Sequence, residues 1–232
     1  NEYFYDFLYF GENYYLFCYA KTAPDLSDYD EIRIYKFTET FKLENRFEVN
    51  FSSINLLPYN FIDNSVAIAN NMILFPVKTD DYYILKYDMS TKQLDLIKSD
   101  YGILGIIADL NSFYIIGFSN NDTLIFENVT NEIISINKNE IYLPTIVQLS
   151  QENIYFDKIL YMYGSEIYCC FTFGDRYCFL SYDIDTNKWK NLWIIENTNS
   201  LARLMDVKFM HQKENKFFDM FPNWNNAIQE RS

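Results

Sequence analysis

The stretch Tyr177–Ile195, "YCFLSYDIDTNKWKNLWII", sets two apolar runs on either side of a polar centre. Asp183, Asp185 and Asn187 fall at alternate positions in that centre, as the first ligands of a calcium-binding loop do. An EF-hand loop begun at Asp183 would need Gly at its sixth position and a bidentate Glu at its twelfth. Those positions hold Lys188 and Ile194, so the loop fails as a metal site. What remains is a turn between two strands, in which Asp and Thr side chains hydrogen-bond the backbone.

The same stretch recurs. In "YYILKYDMSTKQL", residues 82–94, Tyr82 matches Tyr177, Leu85 matches Leu180, and Tyr87-Asp88 match Tyr182-Asp183. Thr91 then falls opposite Thr186, and Leu94 opposite Trp189. In "LIFENVTNEI", Phe126-Glu127 takes the Tyr-Asp slot, Thr130 the Thr slot and Ile133 the large apolar slot. Tyr35 in "IRIYKFTETFKL" opens a looser copy whose later spacing slips. The tyrosine slots 35, 87, 126 and 182 lie 52, 39 and 56 residues apart. Each interval holds about four strand candidates, such as "MILFPV", "DYYILKY" and "FYIIGF".

Four short antiparallel strands in roughly 40–50 residues is the length of a β-propeller blade. Many of the runs are apolar throughout, which predicts strands covered on both faces. Long amphipathic helical patterns are missing from most of the chain, which argues against a parallel α/β sheet with its crossover helices. The expected class is all-β: a β-propeller of four to five four-stranded antiparallel blades, incomplete or part of a larger ring. Blades are placed at 1–50, 51–100, 101–144 and 145–196 of a single domain spanning 1–232. Residues 197–232 are expected as a partial blade or closing segment, although "LARLMDVKFM" there also fits a helical face.

The unit Y-D-x-x-T-x-x-W resembles the end of a Kelch-type blade. It is complete at Tyr182, Asp183, Thr186 and Trp189, and partial at Tyr87, Asp88 and Thr91. The resemblance implies a propeller with Kelch-like repeats. Kelch repeats also carry a Gly-Gly pair in an inner strand, and this sequence has none, so the form is divergent.

Composition narrows the function. With 21 Tyr and 21 Phe, the chain has ample apolar surface to fold, and stacked blades account for the rings without any ligand. A net charge of −13 repels phosphate backbones, so nucleic acid is excluded as a partner. No apolar run approaches the roughly 20 residues of a spanning helix, and "NEYFYDFLYFGENYY" lacks the features of a signal peptide. Cys18, Cys169, Cys170 and Cys178 form no C-x-x-C pair and read as small core residues. The sequons at Asn50, Asn121 and Asn128 are near chance in a chain so rich in Asn.

His211 is the only histidine, and it stands far from any nucleophile-elbow motif. Ser-His-Asp and Cys-His mechanisms and multi-histidine zinc centres are therefore set aside. The acidic insert "TAPDLSDYDE", with Asp25, Asp28, Asp30 and Glu31, reads as a solvated loop. Trp189, Trp193 and Trp224 are candidate sugar platforms; Trp189 occupies the repeat's core slot, and Trp224 in "PNWNNA" is the exposed one. No catalytic residue, metal or cofactor is assigned. The expected function is a non-enzymatic binding or scaffolding module that presents propeller loops to a protein partner. The alternative is a carbohydrate-active propeller, either a lectin or a glycosidase using two carboxylates.

Overall fold

Runs of aromatic and β-branched residues broken by Asn, Asp and Gly become short strands joined by tight turns. The computed structural model describes residues 2–23, 29–51, 54–62, 65–109, 111–120, 123–130, 132–142, 154–163, 165–173 and 176–196. Residues 197–232, with His211 and Trp224, lie outside them. Among the described residues, sixteen strands make four antiparallel sheets. The first holds β1 (Glu2–Phe10), β2 (Asn13–Ala20), β3 (Glu31–Thr38) and β4 (Leu43–Asn50). The second holds β5 (Ala67–Ala69), β6 (Met72–Lys78), β7 (Tyr82–Asp88) and β8 (Leu94–Lys98). The third holds β9 (Gly102–Ala108), β10 (Phe113–Asn120), β11 (Thr123–Val129) and β12 (Ser135–Tyr142). The fourth holds β13 (Ile154–Tyr163), β14 (Glu166–Phe173), β15 (Arg176–Asp183) and β16 (Lys188–Glu196). Within each sheet the strands pair in sequence order, and β5, β9 and β13 each open a new sheet. The architecture is that of β-propeller blades, in a ring not closed among the described residues.

Packing explains the non-alternating runs. In β6, Ile73, Phe75 and Val77 join a core shared with Phe17, Ile32, Ile34 and Val49 of the first sheet. Leu74, between them, joins Ile103, Phe113, Ile115 and Ile125 of the third sheet. A strand covered on both faces has no polar face to show, hence "MILFPV". Each fully buried Phe, such as Phe17 or Phe75, contributes about 2–3 kcal/mol relative to exposure. The third and fourth sheets meet at Phe126 and Tyr182, whose rings lie 6.4 Å apart. Pro76 is tolerated because β5 pairs β6 only at Met72–Leu74; beyond that point the Pro76 carbonyl instead accepts the Ile62 N–H at 3.0 Å.

The fourth strand of the first sheet is exposed and charged. Glu44 pairs with Lys36, and Arg46 with Glu48. Such surface pairs add little stability, but they keep an edge from recruiting another strand.

The stretch Tyr177–Ile195 is the β15–β16 hairpin, and residues 82–94 form the equivalent β7–β8 hairpin. Tyr182 faces Trp189 and Tyr87 faces Leu94 across the ladder, as the repeat alignment has them. The other two copies sit in a different register. In the first and third sheets the last pairs before the turn are Phe37 with Leu43 and Val129 with Ser135. The tyrosine slot there belongs to Phe37 and Val129, not to Tyr35 and Phe126. The cause is the residue that follows the slot and caps the loop. Asp88 and Asp183 begin four-residue loops, each Oδ1 accepting the N–H groups two and three residues on at 2.7–3.1 Å. Thr38 and Thr130 begin three-residue loops, in which the Thr Oγ1 accepts the N–H four residues on at 3.2 Å.

Candidate functional site

Loop 54–62 connects the first sheet to the second, and its own side chains fix it. The Leu57 N–H donates to Asn60 Oδ1 at 2.9 Å, and Asn60 Nδ2 donates to the Lys78 carbonyl at 3.0 Å. Pro58 opens the 3-10 turn Pro58–Asn60, where its fixed φ suits the first helical position. From below, the Tyr19 hydroxyl donates to the Pro58 carbonyl at 3.2 Å and the Tyr5 hydroxyl to the Ile62 carbonyl at 3.3 Å. Tyr5 reaches that point because β1 carries a register shift between Phe4 and Asp6. Under the loop, the Tyr5, Tyr19, Phe51, Phe61 and Phe75 rings pack at centroid distances of 4.7–6.5 Å.

On this base stands Tyr59, 79% exposed, with Leu57 beside it at 36%. Tyr3, opposite Tyr19 in the β1–β2 ladder, is 64% exposed and Phe4 58%. Tyr3 shares the sheet face of Tyr19, whose hydroxyl braces the loop, whereas Phe4, next in the strand, faces the other way. Exposed Tyr and Leu side chains on a braced loop are features of an interaction surface. Rigid Tyr rings suit that task because they lose little conformational entropy on contact.

A second feature lies at the opposite end, where the β5–β6 and β7–β8 turns stand beside β2, β3 and β4 of the first sheet. An open cleft of about 430 Å³ is lined by Tyr15, Lys36, Glu44, Asn45, Phe47, Asn71, Met89 and Ser90. Lys36 Nζ lies 2.5 Å from Glu44 Oε2. The Tyr15 phenol is pushed up to about 12 by burial, with the Glu44 charge adding to it. Asn70 and Asn71, at φ 46° and 65°, make the two-residue turn that carries one wall, and the Met89 N–H donates to the Asn71 carbonyl at 2.9 Å.

The residues singled out in the sequence scatter. Asp183 caps its own turn and is buried; Asn187 takes the left-handed position at φ 53° and accepts the Tyr182 hydroxyl at 3.2 Å. Trp189 packs edge-on against Tyr182 at 5.1 Å, inside the hairpin. In the acidic insert, Asp30 accepts the Thr22 N–H at 2.8 Å, while Glu31 pairs with Arg33 at 2.6 Å. Asp25 and Asp28 lie outside the described residues, as do the side chains of Trp193, Cys169, Cys170 and Cys178. Cys18 is a buried free thiol whose ionisation burial pushes upward. Among the described residues, no group of three or more His, Cys, Asp or Glu is placed to hold a metal ion. No described helix is long and apolar enough to cross a membrane. Tyr59 and the Lys36–Glu44 pair were not legible as sites. The one signal was a Tyr set between Pro58 and Asn60, where a turn usually carries a small polar residue.

No family model matches the sequence, and no curated protein matches it. Among solved structures, the chain is similar to the acylaminoacyl peptidase of Pyrococcus horikoshii, at 11% identity and a TM-score of 0.47. That match covers 85% of this chain and 33% of the peptidase, so the chain spans about a third of that protein. The β-propeller domain of the Trilobed protease from Pyrococcus furiosus matches at 11% identity and a TM-score of 0.43, over 85% of this chain and 69% of that one. BamB from Moraxella catarrhalis matches at 6% identity and a TM-score of 0.36, over 81% of this chain and 63% of that one.

Proposed function

We propose that the chain is a non-enzymatic binding module that docks a protein partner on the loop end of its first two blades. The observation that carries this reading is Tyr59, 79% exposed on a loop held by the hydrogen bonds of Asn60, Tyr19 and Tyr5. An exposed ring on a rigid support contributes binding energy without the cost of ordering a mobile loop. Leu57 on the same loop, and Tyr3 on the sheet face of Tyr19, widen the contact around it. The net charge of −13 favours a basic partner and predicts association that slows as salt rises. The Asp-capped hairpins at Tyr87-Asp88 and Tyr182-Asp183 support a Kelch-like reading of those two blades, which serve as the scaffold.

The test is site-specific photocrosslinking from position 59, with position 92 on the opposite turn end as control. A partner captured only from 59 is then bound to the purified Tyr59→Ala and Tyr3→Ser variants. Expected is a loss of about 2 kcal/mol in affinity, roughly 30-fold, for Tyr59→Ala. Stability should change by no more than about 0.5 kcal/mol, because the ring is exposed. Equal capture from both positions, or saturable binding to an arrayed glycan and no protein adduct, overturns the reading.

A further inference from the structure

Lys36 stands on a face of the first sheet whose inner rows are apolar. Its row across the first sheet is Tyr15, Lys36 and Asn45; the next row inward is Phe17, Ile34 and Phe47. The inter-blade seam therefore changes from hydrocarbon to polar groups at the cleft under the Asn71 and Ser90 turns. The cleft offers a cation and an anion 2.5 Å apart, with the Tyr15 phenol, two amides and the Ser90 hydroxyl around them. Phe47 and Met89 supply an apolar wall.

Charge balance selects the ligand. An anion drawn to Lys36 would be repelled by Glu44, and a cation drawn to Glu44 would be repelled by Lys36. A neutral polyol meets neither charge with an opposite one and so forgoes the stronger charge-assisted hydrogen bonds. A molecule with adjacent ammonium and carboxylate groups exchanges the one pair for two and leaves the net charge of the cleft unchanged. We propose that this cleft binds a small zwitterion, a free α-amino acid with an apolar side chain. Its carboxylate lies on Lys36, its ammonium on Glu44, and its side chain against Phe47 and Met89. This site is separate from the Tyr59 surface and stands or falls without it.

Ligand-detected NMR titration of the full 232-residue chain tests it with three compounds: L-leucine, 4-methylpentanoate and 3-methylbutylamine. The last two are leucine without its amine and without its carboxylate. Expected is saturable binding of leucine, with each single-charge analogue weaker by about tenfold or more. Lys36→Met and Glu44→Gln should each bring leucine down to the level of the analogues, while Lys138→Met in the third sheet keeps the native affinity. No saturable binding of leucine, equal binding of all three compounds, or unchanged affinity in both cleft variants overturns the proposal. Should a cleft variant fail to fold, the three-compound comparison on the native chain decides by itself.

Discussion

At the entry to the third sheet, two glycines each lie beneath an aromatic ring. A Cβ on Gly117 would sit 2.3 Å from the Tyr101 ring and 2.4 Å from the Gly102 carbonyl oxygen; one on Gly102 would meet the Phe118 ring at 2.4 Å. Tyr101 has no room to swing away. Its hydroxyl donates to Glu127 Oε2 at 2.6 Å, and Lys138 Nζ lies 4.6 Å above its ring. Burial, with Glu127 beside it, holds the phenol far above the usual tyrosine range. Gly117→Ala should therefore cost about 2–3 kcal/mol, as overpacking against a fixed ring and a backbone oxygen does. Urea denaturation measures it; a loss under about 0.5 kcal/mol would mean that the ring yields. Nothing in "YGILG" or "IIGFS" marks these glycines, because the ring that covers Gly117 comes from outside its own strand.

The four outer hairpins share one device. Phe41, Lys92, Ile133 and Asn187 all close their loops at φ 53–60°. Left-handed backbone costs an ordinary residue about 1 kcal/mol, whereas Asn tolerates it. Lys92 is exposed, so replacing it forfeits little packing. Lys92→Asn should stabilise the chain by about 0.5–1 kcal/mol, read as a higher midpoint in thermal unfolding; no change would mean that Lys92 is relaxed there. The same hairpins show what was legible in the sequence. Tyr87-Asp88 and Tyr182-Asp183 can be aligned from sequence because the same Asp cap closes a loop of the same length in both hairpins. Tyr35 and Phe126 lie two and three residues before the true slot, because Thr38 and Thr130 take the place of Asp88 and Asp183 and do not match Thr91 and Thr186. All-β blades were legible from runs and repeats. The Tyr59 patch and the Lys36–Glu44 cleft depend on which turns meet in space, and local pattern does not encode that.

At the scale of the whole described unit, the load of buried phenols makes stability pH-dependent. Burial is the first cause that pushes both Tyr15 and Tyr114 up to about 12, helped by Glu44 and by Asp109 respectively. In the unfolded chain both ionise near pH 10, so between about pH 10 and 12 the unfolded state sheds protons that the folded state keeps. Their stabilisation is complete below pH 10 and falls as pH rises, by about 1.4 kcal/mol per pH unit for each phenol. Denaturant midpoints at pH 9, 10.5 and 11.5 should drop steeply only over the last two; a flat profile would contradict it. The threading of the sheets also fixes how they yield to force. Each sheet has four strands joined in succession, so the chain enters and leaves at the same end. Tension on the two ends of a blade then acts across its strands and opens the ladder like a zipper, one hydrogen bond after another, at a far lower load than shearing a whole strand out at once.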